Sequence, residues 1–174
     1  MIDFNPFTEK DFQRLIGWIT SPNLLIQWAG PRLFTYPLTE DQLKTYLRYD
    51  QGDDTKTLIF TVVDEGTEAV GHVEMGAIDE KNGTASIRRL FVAPERRGRG
   101  ICGEMVQRLL EMGFQRFHLR RIDLRVYGFN IPAISCYERA GLVQEGVLRK
   151  AQRVGDQYWD MVLMAVLREE WGGN

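Results

Sequence analysis

Between Phe91 and Phe114 the chain reads FVAPERRGRGICGEMVQRLLEMGF, and no other stretch restricts the fold as strongly. An apolar run ends in a turn at Pro94, a loop rich in glycine and arginine follows, and then Ile101, Met105, Leu109 and Met112 recur at helical spacing, with Cys102, Val106 and Leu110 beside them. Strand, loop and helix in that order put the first turn of a helix directly behind a glycine loop. The leading amides of a helix have no partner inside it and sit at the positive end of its dipole, so they bind phosphate. Gly98, Gly100 and Gly103 keep side chains from standing between an anion and the backbone, while Arg96, Arg97 and Arg99 add positive charge. The segment therefore predicts a pyrophosphate site. For the loop by itself, a surface turn ringed by solvated arginines is the plain alternative.

The flanking sequence supplies the rest of a fold. Residues 2–7 predict a short strand, and Thr8 with Asp11 opens a helical pattern through Phe12, Leu15, Ile16 and Ile19, with Trp18 on or near it. From Ser21 to Leu38, Pro22, Gly30, Pro31 and Pro37 mix with Trp28, Phe34 and Tyr36, which predicts an irregular, aromatic-rich connection. Thr39 as N-cap and Gln42 at the third helical position predict a second helix over 40–50. From Lys56 the runs TLIFTVVD, AVGHVEMGAI and TASIRRLFVA read as strands, separated by turn signals at Glu65-Gly66 and Asn82-Gly83, and predict an antiparallel meander. After the loop helix come a strand over 121–127 and a helix over 131–140, capped by Asn130, with Pro132 in its first turn and Gly141 at its end. Two strands near 142–148 and 157–166 close the chain. The strands before Gly98 and after the loop helix are joined through that helix, so they run parallel. The order predicts an α/β chain of the α+β type: one domain over residues 1–174, with a mixed, mostly antiparallel sheet flanked by helices on both faces.

A formal net charge of -2 and a pI near 5.8 argue against a chain whose main work is holding nucleic-acid phosphates. The opening MIDFNPFTEKDF lacks the basic start and apolar core of a signal peptide, and no apolar run approaches the roughly 20 residues of a membrane span. Cys102 and Cys136 are poor material for a disulfide framework. A soluble, cytoplasmic protein in a reducing compartment is the expectation.

Residues 98–103 also match G-x-G-x-x-G, with Asp123 about 20 residues beyond, as in a dinucleotide-binding Rossmann enzyme. Pro94 to Arg97 separate strand from glycine, a hairpin meander precedes the loop, and Asp123 begins its strand, all of which count against that arrangement. Val92, Pro94, Arg97, Gly98, Gly100 and Ile101 instead resemble the acetyl-CoA loop of the GNAT superfamily of N-acetyltransferases, R/Q-x-x-G-x-G/A. The pattern falls on Arg97, Gly100 and Cys102, whose cysteine departs from Gly or Ala and is followed by Gly103. A second block, NIPAISCYERAGL, is similar to the family's helix beside the CoA thiol through Asn130, Ala133, Tyr137, Gly141 and Leu142. The ending EGVLRK…GDQYWDMVLMAVLREEW is similar to the branch containing ribosomal-protein N-terminal acetyltransferases, which also includes enzymes with small-molecule substrates.

The resemblance implies the GNAT acyl-CoA N-acyltransferase fold, acetyl-CoA as cosubstrate, and an acceptor that is a primary amine of a small molecule or a peptide N-terminus. It assigns the pyrophosphate to amides from Arg97 through Gly98, Arg99, Gly100, Ile101 and Cys102 to Gly103. The strand end at Phe91 and Val92 would supply a backbone oxyanion contact, pantetheine would lie where that strand parts from the one beginning near Arg121, and Asn130 and Ala133 would touch the cofactor. Tyr137 is the candidate acid for the departing thiolate, with an ordinary packed helix aromatic as the alternative. Glu74, which alternation places on one strand face with His72, is the candidate base; a solvated strand face or a water relay would serve equally. Trp28, Phe34 and Tyr36 are candidates to contact the acceptor. Arg88 and Arg89 read as surface arginines, and His118 as an exposed helix end. A non-catalytic acyl-CoA-binding module of the same fold is the rival, and no metal, nucleic acid or membrane partner is expected. A homodimer is compatible with all of this.

Overall fold

The computed structural model describes residues 1–48, 56–64 and 68–172. In chain order these form β1 (Ile2–Pro6), α1 (Phe12–Trp18), α2 (Pro22–Ala29), α3 (Glu40–Arg48), β2 (Lys56–Asp64), β3 (Glu68–Asp79), β4 (Thr84–Val92), α4 (Ile101–Glu111), β5 (Arg121–Tyr127), α5 (Ile131–Arg139), β6 (Val143–Val154) and β7 (Gln157–Leu167). The strands make one seven-stranded sheet in the order β1-β2-β3-β4-β5-β7-β6. β4 and β5 run parallel, as a strand–helix–strand crossover requires, whereas β1–β2, β5–β7 and β6–β7 are antiparallel. The chain groups into two compact units, Met1–Gly76 with Arg88–Ile101 and Ala77–Ile87 with Cys102–Asn174.

In the first unit, Thr8 starts the chain into α1 through a single 3-10 turn over Glu9–Asp11, closed by a capping box in which the Thr8 amide donates to Asp11 Oδ2 at 2.9 Å. The segment expected to be irregular from Ser21 onward instead begins with α2. Ser21 is its N-cap, accepting from the Leu24 amide at 3.2 Å, and Pro22 occupies the first turn. Proline there costs nothing, because its missing N–H would have been an orphan anyway. Leu25 and Trp28 then fall on the buried face. They join Phe7, Phe12, Leu15, Phe34, Leu43, Tyr46 and Phe91 in an apolar cluster, each large side chain contributing about 1.5–3 kcal/mol by leaving water. The Glu65-Gly66 turn and the last residues of the second expected helix, 49 and 50, lie outside the described residues.

In the second unit, α4 buries Met105, Val106, Leu109 and Leu110 and runs on into a π-helical turn, Met112–Arg116, which drives Phe114 inward against Trp171 at 5.2 Å. β5 lies in register with β4 from Thr84–Arg121 to Ile87–Leu124, and with β7 from Arg121–Leu167 to Tyr127–Met161. The turn into β4 is tied by the Arg120 amide donating to the Gly83 carbonyl at 2.7 Å, with Gly83 at φ +70°. β6 extends beyond the expected 142–148 to Val154, with register shifts between Gln144 and Gly146 and between Leu148 and Gln152. It is largely exposed, so it shows none of the apolar alternation by which a half-buried strand is recognised.

Candidate active site

The loop that leaves β4 begins with a 3-10 turn over Pro94–Arg96 and reaches α4 through two glycines in the left-handed region, Gly98 at φ +74° and Gly100 at φ +81°. An L-residue there costs roughly 1–2 kcal/mol. A Cβ at either position would meet nothing within 4 Å, so the requirement is one of backbone conformation and not of space. Arg97 folds back on the strand, its Nε donating to the Val92 carbonyl at 3.2 Å and its guanidinium standing 5.3 Å from the centre of the Phe91 ring. Arg96 is paired with Glu68 and adds little free charge, whereas Arg97 and Arg99 are exposed. Ile101, buried, anchors the start of α4.

Cys102, in the first turn of α4, is joined to Cys136 of α5 by a disulfide, with the Cα atoms 6.5 Å apart. This runs against the expectation that the two cysteines are poor material for a disulfide: the fold brings together two positions 34 apart in sequence. A second tie runs from Gln107 Nε2 to the Ala140 carbonyl at 3.1 Å, so α4 holds α5 at two levels. Gly103 has no heavy atom within 4 Å of where its Cβ would stand. Asn130 sits at the N-cap position of α5 with its carbonyl accepting from Ala133 and Ile134, each at 3.1 Å, while its side chain makes no cap bond. Ala133 follows on the first turn, half-buried. Tyr137 is buried beside Cys136, and desolvation pushes its hydroxyl up to about 12. Asp123, the acid a dinucleotide site would need for ribose, accepts from Ser86 Oγ at 2.8 Å and pairs with Arg121 at 3.5 Å, which gives it a structural use. His118 is exposed just beyond the π-helical turn, at φ +52°.

Glu74 and His72 lie in the interior of the first unit, not on a solvated face, at 2% and 1% exposure. Glu74 Oε2 accepts from the Tyr46 hydroxyl at 2.7 Å and from Arg89 Nη1, and its Oε1 stands 3.6 Å from Arg88 Nη1. Two consecutive residues of a strand normally point to opposite faces. Arg89 adopts φ +50°, which breaks that alternation, and both arginines reach the same carboxylate. Neither is a free surface arginine. Gly76 makes room for the pair: a Cβ there would stand 2.5 Å from Glu74 Oε1 and 2.9 Å from Arg88 Nη1. Tyr46 is held protonated, its hydroxyl raised well above the usual range by burial and then by the Glu74 charge. His72, enclosed by the rings of Phe7, Trp28 and Tyr46, falls to about 3 through burial and the Arg89 charge, so it is neutral.

The aromatics expected to receive an acceptor divide into two kinds. Trp28 and Phe34 are buried and stacked, with centroids 5.4 Å apart, and Trp28 Nε1 donates to the Arg89 carbonyl at 2.8 Å, fixing the irregular point of β4. Tyr36 is 44% exposed and donates to the Thr20 carbonyl at 3.1 Å. Sequence reasoning missed Tyr46, Arg88 and Arg89 as partners of Glu74; the only available signal was that Glu74 and His72 are polar in an otherwise apolar strand. Among the described residues no cluster of His, Cys, Asp or Glu could hold a metal, and no helix is long and apolar enough to cross a membrane.

A mixed sheet whose fourth strand passes through a left-handed glycine turn into a helix is the arrangement of a phosphate-binding α/β fold. The chain belongs to the acetyltransferase (GNAT) family, whose sequence profile matches residues 23–142. It is 27% identical over 165 residues to the uncharacterized N-acetyltransferase YnaD of Bacillus subtilis, covering 95% of this chain and 92% of that one. It is 30% identical over 112 residues to the spermidine N(1)-acetyltransferase of Vibrio cholerae, covering 64% of each. In structure it is similar to the spermidine N-acetyltransferase of Vibrio cholerae in complex with CoA and spermine, with a TM-score of 0.82, 24% identity, and coverage of 97% of this chain and 96% of that one, a likeness of fold. The reaction of this acetyltransferase is transfer of an acetyl group from acetyl-CoA to an amine.

Proposed function

We propose that residues 1–174 act as one cytoplasmic acetyltransferase domain on a primary amine of a small molecule or of a peptide or protein N-terminus, by direct attack in a ternary complex. The observation that carries this is the glycine turn at Gly98 and Gly100, whose open, left-handed backbone leads straight into α4. Amides from Arg97 to Gly103 would hold the pyrophosphate, and Phe91 and Val92 the strand end that stabilises the developing oxyanion. Asn130, with an amide side chain not spent on capping, and Ala133 would contact the cofactor. As the amine nitrogen bonds to the acetyl carbon and the carbon–sulfur bond breaks, Tyr137 would give its proton to the leaving thiolate. A hydroxyl pushed up to about 12 is protonated throughout the neutral range, as an acid must be.

Glu74 would receive the amine's proton, directly or through a water. Its Oε2 is taken by Tyr46 and Arg89, but Oε1 has only the 3.6 Å ion pair with Arg88 and can accept one more donor. Tyr36 is the exposed member of the aromatic set and the one to touch an acceptor, while Trp28 and Phe34 would shape the site through Arg89.

The test is thiol release from acetyl-CoA over a panel of amines with wild type and Tyr137→Phe. The variant should lose about 100-fold in kcat with the KM for acetyl-CoA unmoved, the lower end of what general acids contribute. Undiminished kcat would remove Tyr137 from the acid role. Binding of acetyl-CoA without turnover on any amine would support the non-catalytic module instead.

A further inference from the structure

The Glu74 cluster holds more positive than negative charge, and the positive member faces outward. The Glu74 side chain is 2% exposed, that of Arg89 16% and that of Arg88 43%. The nearby carboxylate of Asp11 is already matched by Arg14 at 2.7 Å, and on the other strand edge Glu68 is matched by Arg96. His72 and Tyr46 are neutral. Among the described residues, one carboxylate against two guanidiniums leaves a surplus positive charge whose exposed part is Arg88, and the buried Arg89 Nε has no hydrogen-bond partner. A guanidinium offers five donors in a planar fork that matches a carboxylate. A polycation brought to the same place meets repulsion from it.

The way Glu74 is held points to the same acceptor. With its Oε2 already accepting from a phenol and a guanidinium, Glu74 has only Oε1 to offer an incoming amine. At pH 7.5 an alkyl amine with a pKa near 10.4 is about one part in a thousand neutral, whereas a peptide α-amine near 8 is roughly a quarter neutral. The second kind of amine needs little help to attack.

Resting on the reading that the acceptor reaches this cluster, we infer that the acceptor is a short peptide whose α-amine lies a few bonds from a carboxylate, and that Arg88 selects it by pairing with that carboxylate.

Three acceptors separate the outcomes: Glu-Ala amide, its isostere Gln-Ala amide, and spermidine, each followed by CoA thiol release. The wild type should prefer the Glu peptide over the Gln peptide by about tenfold in kcat/KM, the size of one partly exposed charge-assisted pair, and should use spermidine least. Arg88→Gln should bring the ratio of the two peptides close to one by raising KM for the Glu peptide, with KM for acetyl-CoA unmoved, and Arg88→Lys should restore part of it. A preference for spermidine, equal use of the two peptides, or a ratio that survives Arg88→Gln overturns the inference while leaving the acetyltransferase reading intact. Inertness of all three acceptors, with turnover of some other amine, overturns the inference alone; inertness towards every amine overturns both.

Discussion

His72 makes the stability of the fold depend on pH in a window where few other groups act. In the unfolded chain its imidazole takes a proton as pH falls through about 6.5, whereas in the fold it stays neutral down to about 3. Burial is the larger cause, the Arg89 charge adds to it, and Asp11 opposes it. The sign follows from linkage: above 6.5 neither state binds the proton and stability is full, and below it the unfolded state binds a proton that the folded state refuses. At pH 5 the unfolded histidine is almost wholly charged and the folded one almost wholly neutral, which costs about 2 kcal/mol relative to pH 8. A folded value of 4 would hardly change that figure, because the imidazole would still be neutral at pH 5. The carboxylates held below their ordinary values, Asp11, Asp79 and Glu145, lose their contributions as pH falls through the acid range below the usual carboxylate values, under this window. Reversible urea unfolding at pH 8 and pH 5 should show wild type losing about 2 kcal/mol more between the two than His72→Phe, which keeps a ring among Phe7, Trp28 and Tyr46. Equal losses in the two proteins would show that His72 is protonated in the fold or that the cluster opens to admit the charge.

Two further perturbations test the cofactor loop and the link between the helices. Gly100→Val forces a β-branched residue into φ +81° and should abolish the thermal stabilisation given by acetyl-CoA while the protein still unfolds cooperatively; retained stabilisation would place the cofactor elsewhere. Reduction of Cys102–Cys136, which closes a segment of 34 residues, should lower unfolding free energy by about 3–4 kcal/mol on the chain-entropy estimate. Alkylation of the native protein should then label no cysteine before reductant and both after it, and labelling of both without reductant would contradict the bond.

What could be read in the chain followed from local rules. Alternation gave β2 to β4, Asn130, Pro132 and Gly141 bounded α5, and the glycines marked the start of α4, because each signal lies within a few residues of what it specifies. α2 was also written locally, in Ser21-Pro22, but the surrounding prolines and aromatics masked it. The partners of Glu74 were not legible: Arg88 and Arg89 are 14 and 15 residues away, Tyr46 is 28 away, and their meeting depends on a left-handed residue in the middle of a strand. The same holds for Cys102 and Cys136, which only the packing of α4 and α5 brings within bonding reach. The pairing of a buried acid with two arginines is a property of strand register, and register is absent from periodicity.

Gly76 gives this arrangement a history that runs in one direction. Its φ lies outside the left-handed region, so no left-handed turn asks for glycine, yet an alanine methyl would stand 2.5 Å from Glu74 Oε1 and 2.9 Å from Arg88 Nη1. Arg88, half-exposed, can swing out; Glu74, gripped by Tyr46 and Arg89, cannot. A lineage can therefore accept alanine at 76 only after the carboxylate at 74 has been lost or moved, since losing Arg88 relieves only the 2.9 Å contact, and once that alanine is fixed, a glutamate returning to 74 finds its seat taken. The order in which mutations arrive, and not their sum, decides which descendants can recover the original pairing.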